Sequence, residues 1–215
     1  MAALEIKKKV TNAVLYTNGC IRIDNVRVSF PHLDVPYAGK NGDDTDDNGK
    51  KKTPKFGIVG MLPKSSHVAA KDLIKQAMDE LLAANDNAKV AADKKFIRNG
   101  DDSDREEYAD HWTVSAREER QPAIRNQRGE LITDPKKIAD MIYGGCYCNI
   151  LIRPWYQDGK KTGAGYGKRV NAGLVGVQFV RDGDSFGEGR IDDTDAWDDV
   201  SSSSGGDGFD DDDDL

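Results

Sequence analysis

The C-terminal segment sets the first limit on what this chain can fold into. From Asp182 to Leu215 it carries 14 Asp and Glu against one Arg, a net charge of -13, and it includes SSSSGG and the closing FDDDDDL. A stretch so charged and so poor in apolar residues cannot bury enough surface to offset its conformational entropy. The expectation for 182–215 is a disordered acidic tail. Any domain must then come from residues 1–181, which hold the other 30 Lys and Arg and 24 Asp and Glu, a net of +6. That body is long enough for one domain of ordinary size. No run in it approaches the roughly 18 consecutive apolar residues of a membrane helix. The start MAALEIKKKV lacks the apolar region of a signal peptide, so neither secretion nor a membrane is expected. Three cysteines, an odd number, argue against a disulfide framework and fit a reducing compartment.

Within the body, Ala13 to Phe30 reads as strand. Asn18-Gly19 suits a two-residue hairpin turn in which both residues take positive φ. Ile21 and Ile23 alternate with Arg22, while Val26, Val28 and Phe30 alternate with Arg27, so the phase changes at Asp24-Asn25 and predicts a bulge. Pro31 is expected to end the run. Gly39 to Lys52 has no apolar residue and reads as a loop. Phe56 to Leu62 reads as a strand buried on both faces, closed by Pro63. From Ser66 the period changes: Ala70, Leu73, Ile74, Ala77, Met78, Leu81 and Leu82 fall on one face of a helix expected over 66–92. A strand surrounds Trp112 to Ala116. Asp134-Pro135 starts a short helix carrying Ile138, Met141 and Ile142, which Gly144-Gly145 stops. Two strands follow, Cys146 to Gln157 and Arg169 to Val180, joined by a Gly/Lys loop. Several strands, one long helix and a short one fit a mainly β (α+β) domain.

Catalytic signatures are weak. GAGYGK at Gly163 to Lys168 has three residues between its outer glycines, where a phosphate-binding loop needs four. Arg169 stands where the magnesium-reaching hydroxyl belongs, and strand-like residues follow where a helix should. Cys146 and Cys148 point to one side of a strand, and His32, His67 and His111 are scattered, so no zinc spacing exists. The acidic pairs Asp43-Asp44 and Asp101-Asp102 lie in loops, where solvated charge is the ordinary state. The chain reads as a binding protein that needs no cofactor. A metal-dependent nuclease or NTPase is the alternative from another class.

Binding is the stronger signal. In a strand from Cys146 to Trp155, one face carries Cys146, Cys148, Ile150 and Ile152, an apolar set suited to a core. The other carries Tyr147, Asn149, Leu151, Arg153 and Trp155. Aromatic faces for bases and a cation for the backbone are what a single-stranded nucleic-acid surface requires. The loop adds Lys160, Lys161, Tyr166, Lys168 and Arg169. The candidate DNA-binding residues are thus Tyr147, Arg153, Trp155, Lys160, Lys161, Tyr166, Lys168 and Arg169. A tethered tail of charge -13 beside a basic groove mimics polyphosphate and competes for it at high effective concentration.

The run from Tyr143 to Gly187, with its Tyr-Gly-Gly-Cys, aromatic strand, Gly173-Leu174, Gln178, Arg181-Asp182-Gly183 and Phe186-Gly187, resembles a family of phage-encoded single-stranded DNA-binding proteins. It looks most like members from enterobacterial tailed phages, and the similarity extends more loosely from Val26 through the long helix. The resemblance implies an OB-fold-like Greek-key barrel with an inserted long helix, followed by the acidic tail. It also implies coating of single-stranded DNA in phage replication, recombination or repair, in the host cytoplasm. Phage DNA polymerase or helicase would then be held through the tail. Weaker binding to duplex DNA is expected once the tail is removed. A strand-annealing recombination protein shares this chemistry and is the nearer alternative.

Overall fold

The computed structural model describes residues 4–39, 51–159 and 167–186. In chain order the strands and helices are β1 (Ile6–Val10), β2 (Ala13–Tyr16), β3 (Ile21–Tyr37), β4 (Lys55–Pro63), α1 (Val68–Ala83), β5 (Ile97–Asn99), β6 (His111–Glu118), β7 (Ala123–Arg125), β8 (Leu131–Ile132), α2 (Pro135–Met141), β9 (Tyr147–Gln157) and β10 (Arg169–Arg181). Five of the strands close on themselves in the order β3–β4–β6–β10–β9–β3. All neighbours in the ring are antiparallel except β6 and β10, which are parallel. This is the five-stranded Greek-key barrel of the OB fold. The long helix α1 is inserted between the second and third barrel strands, and the β7–β8 hairpin and α2 between the third and fourth.

Alternation along the strands builds the interior. Ile21, Ile23, Val26 and Val28 of β3, Val114 and Ala116 of β6, Cys148, Ile150 and Ile152 of β9 and Leu174 and Val177 of β10 are all buried in one core. Helix α1 adds Ala70, Leu73, Ile74 and Met78, and α2 adds Ile138. Gly60 is required by this packing: a Cβ there would stand 2.9 Å from the Ile150 side chain. Asp134 caps α2, its carboxylate accepting from the Lys136 amide at 2.9 Å, with Pro135 at the first turn. Among the described residues no helix is long and apolar enough to cross a membrane.

Four local expectations change. The turn after β2 is a three-residue loop in which Gly19 alone takes positive φ, at 81°, while the Asn18 side chain accepts from the Cys20 amide. That is a type I turn with a glycine bulge, in place of the two-residue form. The polar start contains β1, whose lysines face solvent and α1: Lys7 pairs with Glu80 and Lys8 with Gln76. Strand β3 passes through Pro31 to Tyr37, because its register against β4 shifts on both sides of His32 and Phe30 turns left-handed at φ 47°. Such bulges take prolines out of the ladder, where a missing N–H removes no bond. Helix α1 spans Val68–Ala83, stopping one residue past the last of its apolar face and short of the expected 66–92, and Asp86 and Asn87 follow in left-handed conformation. The phase change at Asp24-Asn25 is a bulge, as its pattern requires, with Asn25 at φ 52°.

Candidate nucleic-acid interface

The two faces of β9 separate as the alternation dictates. Cys148, Ile150 and Ile152 are fully buried, while Arg153 and Trp155 are exposed, Trp155 at 45 %. The outer face then divides along its length. Its upper half is engaged within the protein: the Asn149 amide donates to Gln178 at 3.2 Å and accepts from the Asn25 backbone at 2.9 Å. The ring of Tyr147 lies under Arg181, whose guanidinium is 3.4 Å from the ring centroid.

The lower half opens onto a line of residues crossing the whole barrel. Arg153 is paired in register with Gly173, Gly173 with Arg117, Arg117 with Gly57, and Gly57 with His32. Residues in register point to the same side of a sheet, so His32, Arg117 and Arg153 share the outer surface, separated by two glycines: the Arg117 stem crosses Gly57, and a Glu118 carboxylate oxygen lies 3.3 Å from where a Cβ of Gly173 would stand. Four inter-strand gaps make the line about 19 Å long over the curved surface. One register step below Arg153, Trp155 faces Asn171, and below that Gln157 faces Arg169. At the other end His32 stacks on Tyr37, centroids 4.5 Å apart. Neither Arg117 nor Arg153 has a hydrogen-bond or ion-pair partner among the described residues. Arg22 differs: Asp24 holds it at 2.7 Å. A phosphate can recruit an unpaired guanidinium without breaking an existing pair. Burial holds the His32 imidazole below its ordinary pKa, with the Arg117 charge adding to this and Asp34 opposing it.

At the Tyr147 end, the first residues of the acidic segment lie against the barrel. The Tyr143 hydroxyl contacts Asp182 at 3.1 Å and donates to the Gly183 carbonyl at 3.0 Å. Arg27 donates to the carbonyls of Asp184 at 2.8 Å and Gly145 at 3.3 Å, and its guanidinium covers the Phe186 ring at 4.3 Å. The Phe186 amide donates to Gly144 at 2.9 Å. Residues 182–186 are thus fastened to the body, and the rest of the expected tail lies outside the described residues.

Beside this junction is a cleft of about 570 Å³ lined by Ser29, Phe30, Pro31, His32, Arg105, Glu107, Gly144 and Phe186. His32 belongs both to the cleft and to the line across the barrel.

Of the residues expected from sequence, the structure brings Arg153, Trp155, Lys168 and Arg169 to one end of the barrel face, with Lys168 exposed and Arg169 half-buried. It places Tyr147 eight residues up the same strand, about 26 Å away at strand rise. Lys160, Lys161 and Tyr166 lie outside the described residues, as does most of the glycine loop. That loop leads into β10, a strand, whereas phosphate-binding loops open a helix. His32, Tyr37 and Arg117 carry no signal of this line in the sequence. The partners of His32 and Arg117 across the strands are 25 to 60 residues distant along the chain, and only strand register joins them. The exposed aromatic character of Phe30, His32 and Tyr37 around prolines was the one local signal. Cys146 and Cys148 are buried with sulfurs 3.8 Å apart, and the adjoining thiol and burial push Cys148 up, which keeps that thiol protonated in the core.

Comparison with known proteins bears on the same barrel. The family model described as "Enterobacter phage Enc34, ssDNA-binding protein" matches residues 20–209. The solved single-stranded DNA-binding protein from bacteriophage Enc34 is 39 % identical, covering 92 % of this chain and 100 % of that one, with a TM-score of 0.74. The same Enc34 protein solved in complex with ssDNA is 38 % identical, covering 87 % of this chain and 100 % of that one, with a TM-score of 0.75. Putative protein p50 of Acyrthosiphon pisum secondary endosymbiont phage 1 is 28 % identical over 191 residues, 84 % of this chain and 94 % of its own length. With a match that runs through nearly the whole barrel and beyond it, this chain belongs to the family of the Enterobacter phage Enc34 single-stranded DNA-binding protein.

Proposed function

We propose that this protein binds single-stranded DNA with little sequence preference, laying the strand along the line from Trp155 and Arg153 through Arg117 to His32 and Tyr37. One observation carries the reading: two unpaired guanidinium groups lie between rings at the two ends of one surface, on a barrel whose 38 % identical relative was solved with ssDNA. Phosphates take the Arg, with Lys168 and Arg169 at one end, and bases stack on Trp155 and on the His32–Tyr37 pair. Lys160, Lys161 and Tyr166, in the segment of sequence between β9 and β10, are further candidate contacts. Tyr147 becomes a contact only when Arg181 leaves its ring. On this reading the chain is a binding protein, not an enzyme, and it uses no cofactor.

The reading extends to the tail. Residues 182–186 are anchored at Tyr143 and Arg27, and the acidic residues that follow them in sequence compete with DNA for the cations of the barrel face. Once displaced, they are free to hold a replication partner such as the phage DNA polymerase or helicase. The setting is phage DNA replication, recombination or repair in the host cytoplasm.

The test is fluorescence anisotropy of labelled dT20 with the full chain and with an Arg117→Ala, Arg153→Ala double variant. Loss of two phosphate contacts should weaken binding and flatten the slope of log K against log salt by about 1.4. An unchanged affinity and slope would remove the line across the barrel from the DNA path.

A further inference from the structure

We infer that the cleft lined by Phe30, His32 and Arg105 is a further base-binding site, taking one unpaired nucleobase of the same strand between the Phe30 ring and the Arg105 guanidinium once these two separate. The inference rests on the single-stranded DNA reading and adds to it a site off the line across the barrel.

Phe30 is the first observation. It is 45 % exposed, yet its backbone is left-handed at φ 47°. That conformation is sterically costly for a bulky L-residue, and here no burial of the ring offsets it. Strain held without a packing gain collects at functional positions. Its effect here is to aim a large flat ring outward beside the bulge at His32.

Arg105 is the second. Its guanidinium lies over the Phe30 ring, 4.3 Å from the centroid, and its Nη1 donates to Glu107 at 3.3 Å. A ring covered by a guanidinium is a closed sandwich, and bases bind by stacking on either kind of plane. To admit a base the two must part to about 7 Å, twice a contact distance of ~3.5 Å. Arg105 is exposed and enters a single short helical turn at Glu106–Tyr108, so its side chain can swing without disturbing the core.

The surroundings orient the nucleotide. His32 joins the cleft to the line of guanidinium groups, so a strand lying on Arg117 reaches it without a break. Beyond Arg105, Asp104 and Glu106 are exposed, have no ion-pair partner among the described residues and repel phosphate. The phosphates therefore stay on the Arg117 side while the base turns into the cleft. The volume of about 570 Å³ is ample for one base.

Two readouts on the full chain separate this site from a merely stabilising ring–guanidinium pair: affinity for dT20 and the melting midpoint. Phe30→Asn puts a residue tolerant of left-handed backbone at the strained position, so the midpoint should hold or rise. Affinity should fall about 5- to 150-fold, the loss of one base–aromatic stack. Phe30→Trp should bind at least as tightly as the wild type. Arg105→Ala, which removes an exposed side chain and its contacts to Phe30 and Glu107, should weaken binding with at most a small fall in midpoint, and it decides the matter should Phe30→Asn melt early. Wild-type binding of dT20 that both variants reproduce would overturn the cleft and leave the line across the barrel intact. Failure of the wild type itself to bind dT20 would overturn the single-stranded DNA reading.

Discussion

Two aromatic residues on one strand face have become different objects. Trp155 projects, 45 % exposed, beside Asn171, whereas Tyr147 is roofed by Arg181. Trp155→Ala is therefore expected to weaken single-strand binding by about 1–3 kcal/mol, the range for one lost stack, with little change in melting. Tyr147→Ala should do the reverse, losing a ring–guanidinium contact of roughly 0.5–1 kcal/mol and the packing of Gly183. Paired titration and melting curves on both variants check this. A large affinity loss for Tyr147→Ala at constant melting midpoint would show that Arg181 gives way to DNA. Alternation predicted that both rings face outward; that Tyr147 is covered and Trp155 is not depends on Arg181 and Gly183, which return to the Tyr147 end of β9 from the far end of β10. No local pattern records that return.

At the scale of elements, α1 is joined to the barrel by a buried imidazole. His67 precedes the helix; its Nε2–H donates to the Asp24 carbonyl at 3.0 Å and its Nδ1 accepts from the Ser66 hydroxyl at 2.8 Å. Burial keeps its pKa below the ordinary value, with His111 adding to this and the Asp24 contacts opposing it. The folded state thus prefers the neutral ring. As pH falls below about 6.5 the unfolded chain takes up a proton that the folded chain refuses, so stability declines. Melting midpoints taken from pH 8 to 5 should drop toward acid, and the drop should shrink in His67→Gln, which keeps a donor for Asp24. The elements themselves were largely readable: the apolar faces of α1 and β9, the Asp134-Pro135 start of α2 and the bulge at Asn25 all follow from residue type and period. What was not readable is how β3 continues past Pro31. Proline normally stops a strand, and only the bulges against β4, fixed by partners 18 to 30 residues away, let it pass. The His32 and Phe30 positions were lost to the sequence reading for that same reason.

For the whole molecule, charge separation governs the response to salt. Four cations on the described face, Arg117, Arg153, Lys168 and Arg169, give an expected slope of log K against log salt of about -3 on single strands. Removing residues 188–215, and so sparing the fastened 182–186, should tighten dT20 binding at low salt and admit weaker duplex binding. Both gains should fade at high salt. Equal affinities of intact and shortened protein at low salt would leave the tail no part in competition. The barrel's closure has a consequence of its own. Strands β6 and β10 meet in register only at Gly173 and Arg117 before β10 bulges after Leu174 and passes to β7. This junction is the thinnest seam in the wall, and the DNA line runs straight over it. A bound strand would act as a suture: nucleic acid and barrel closure become one equilibrium, in which ligand slows amide exchange at the seam before anywhere else in the domain.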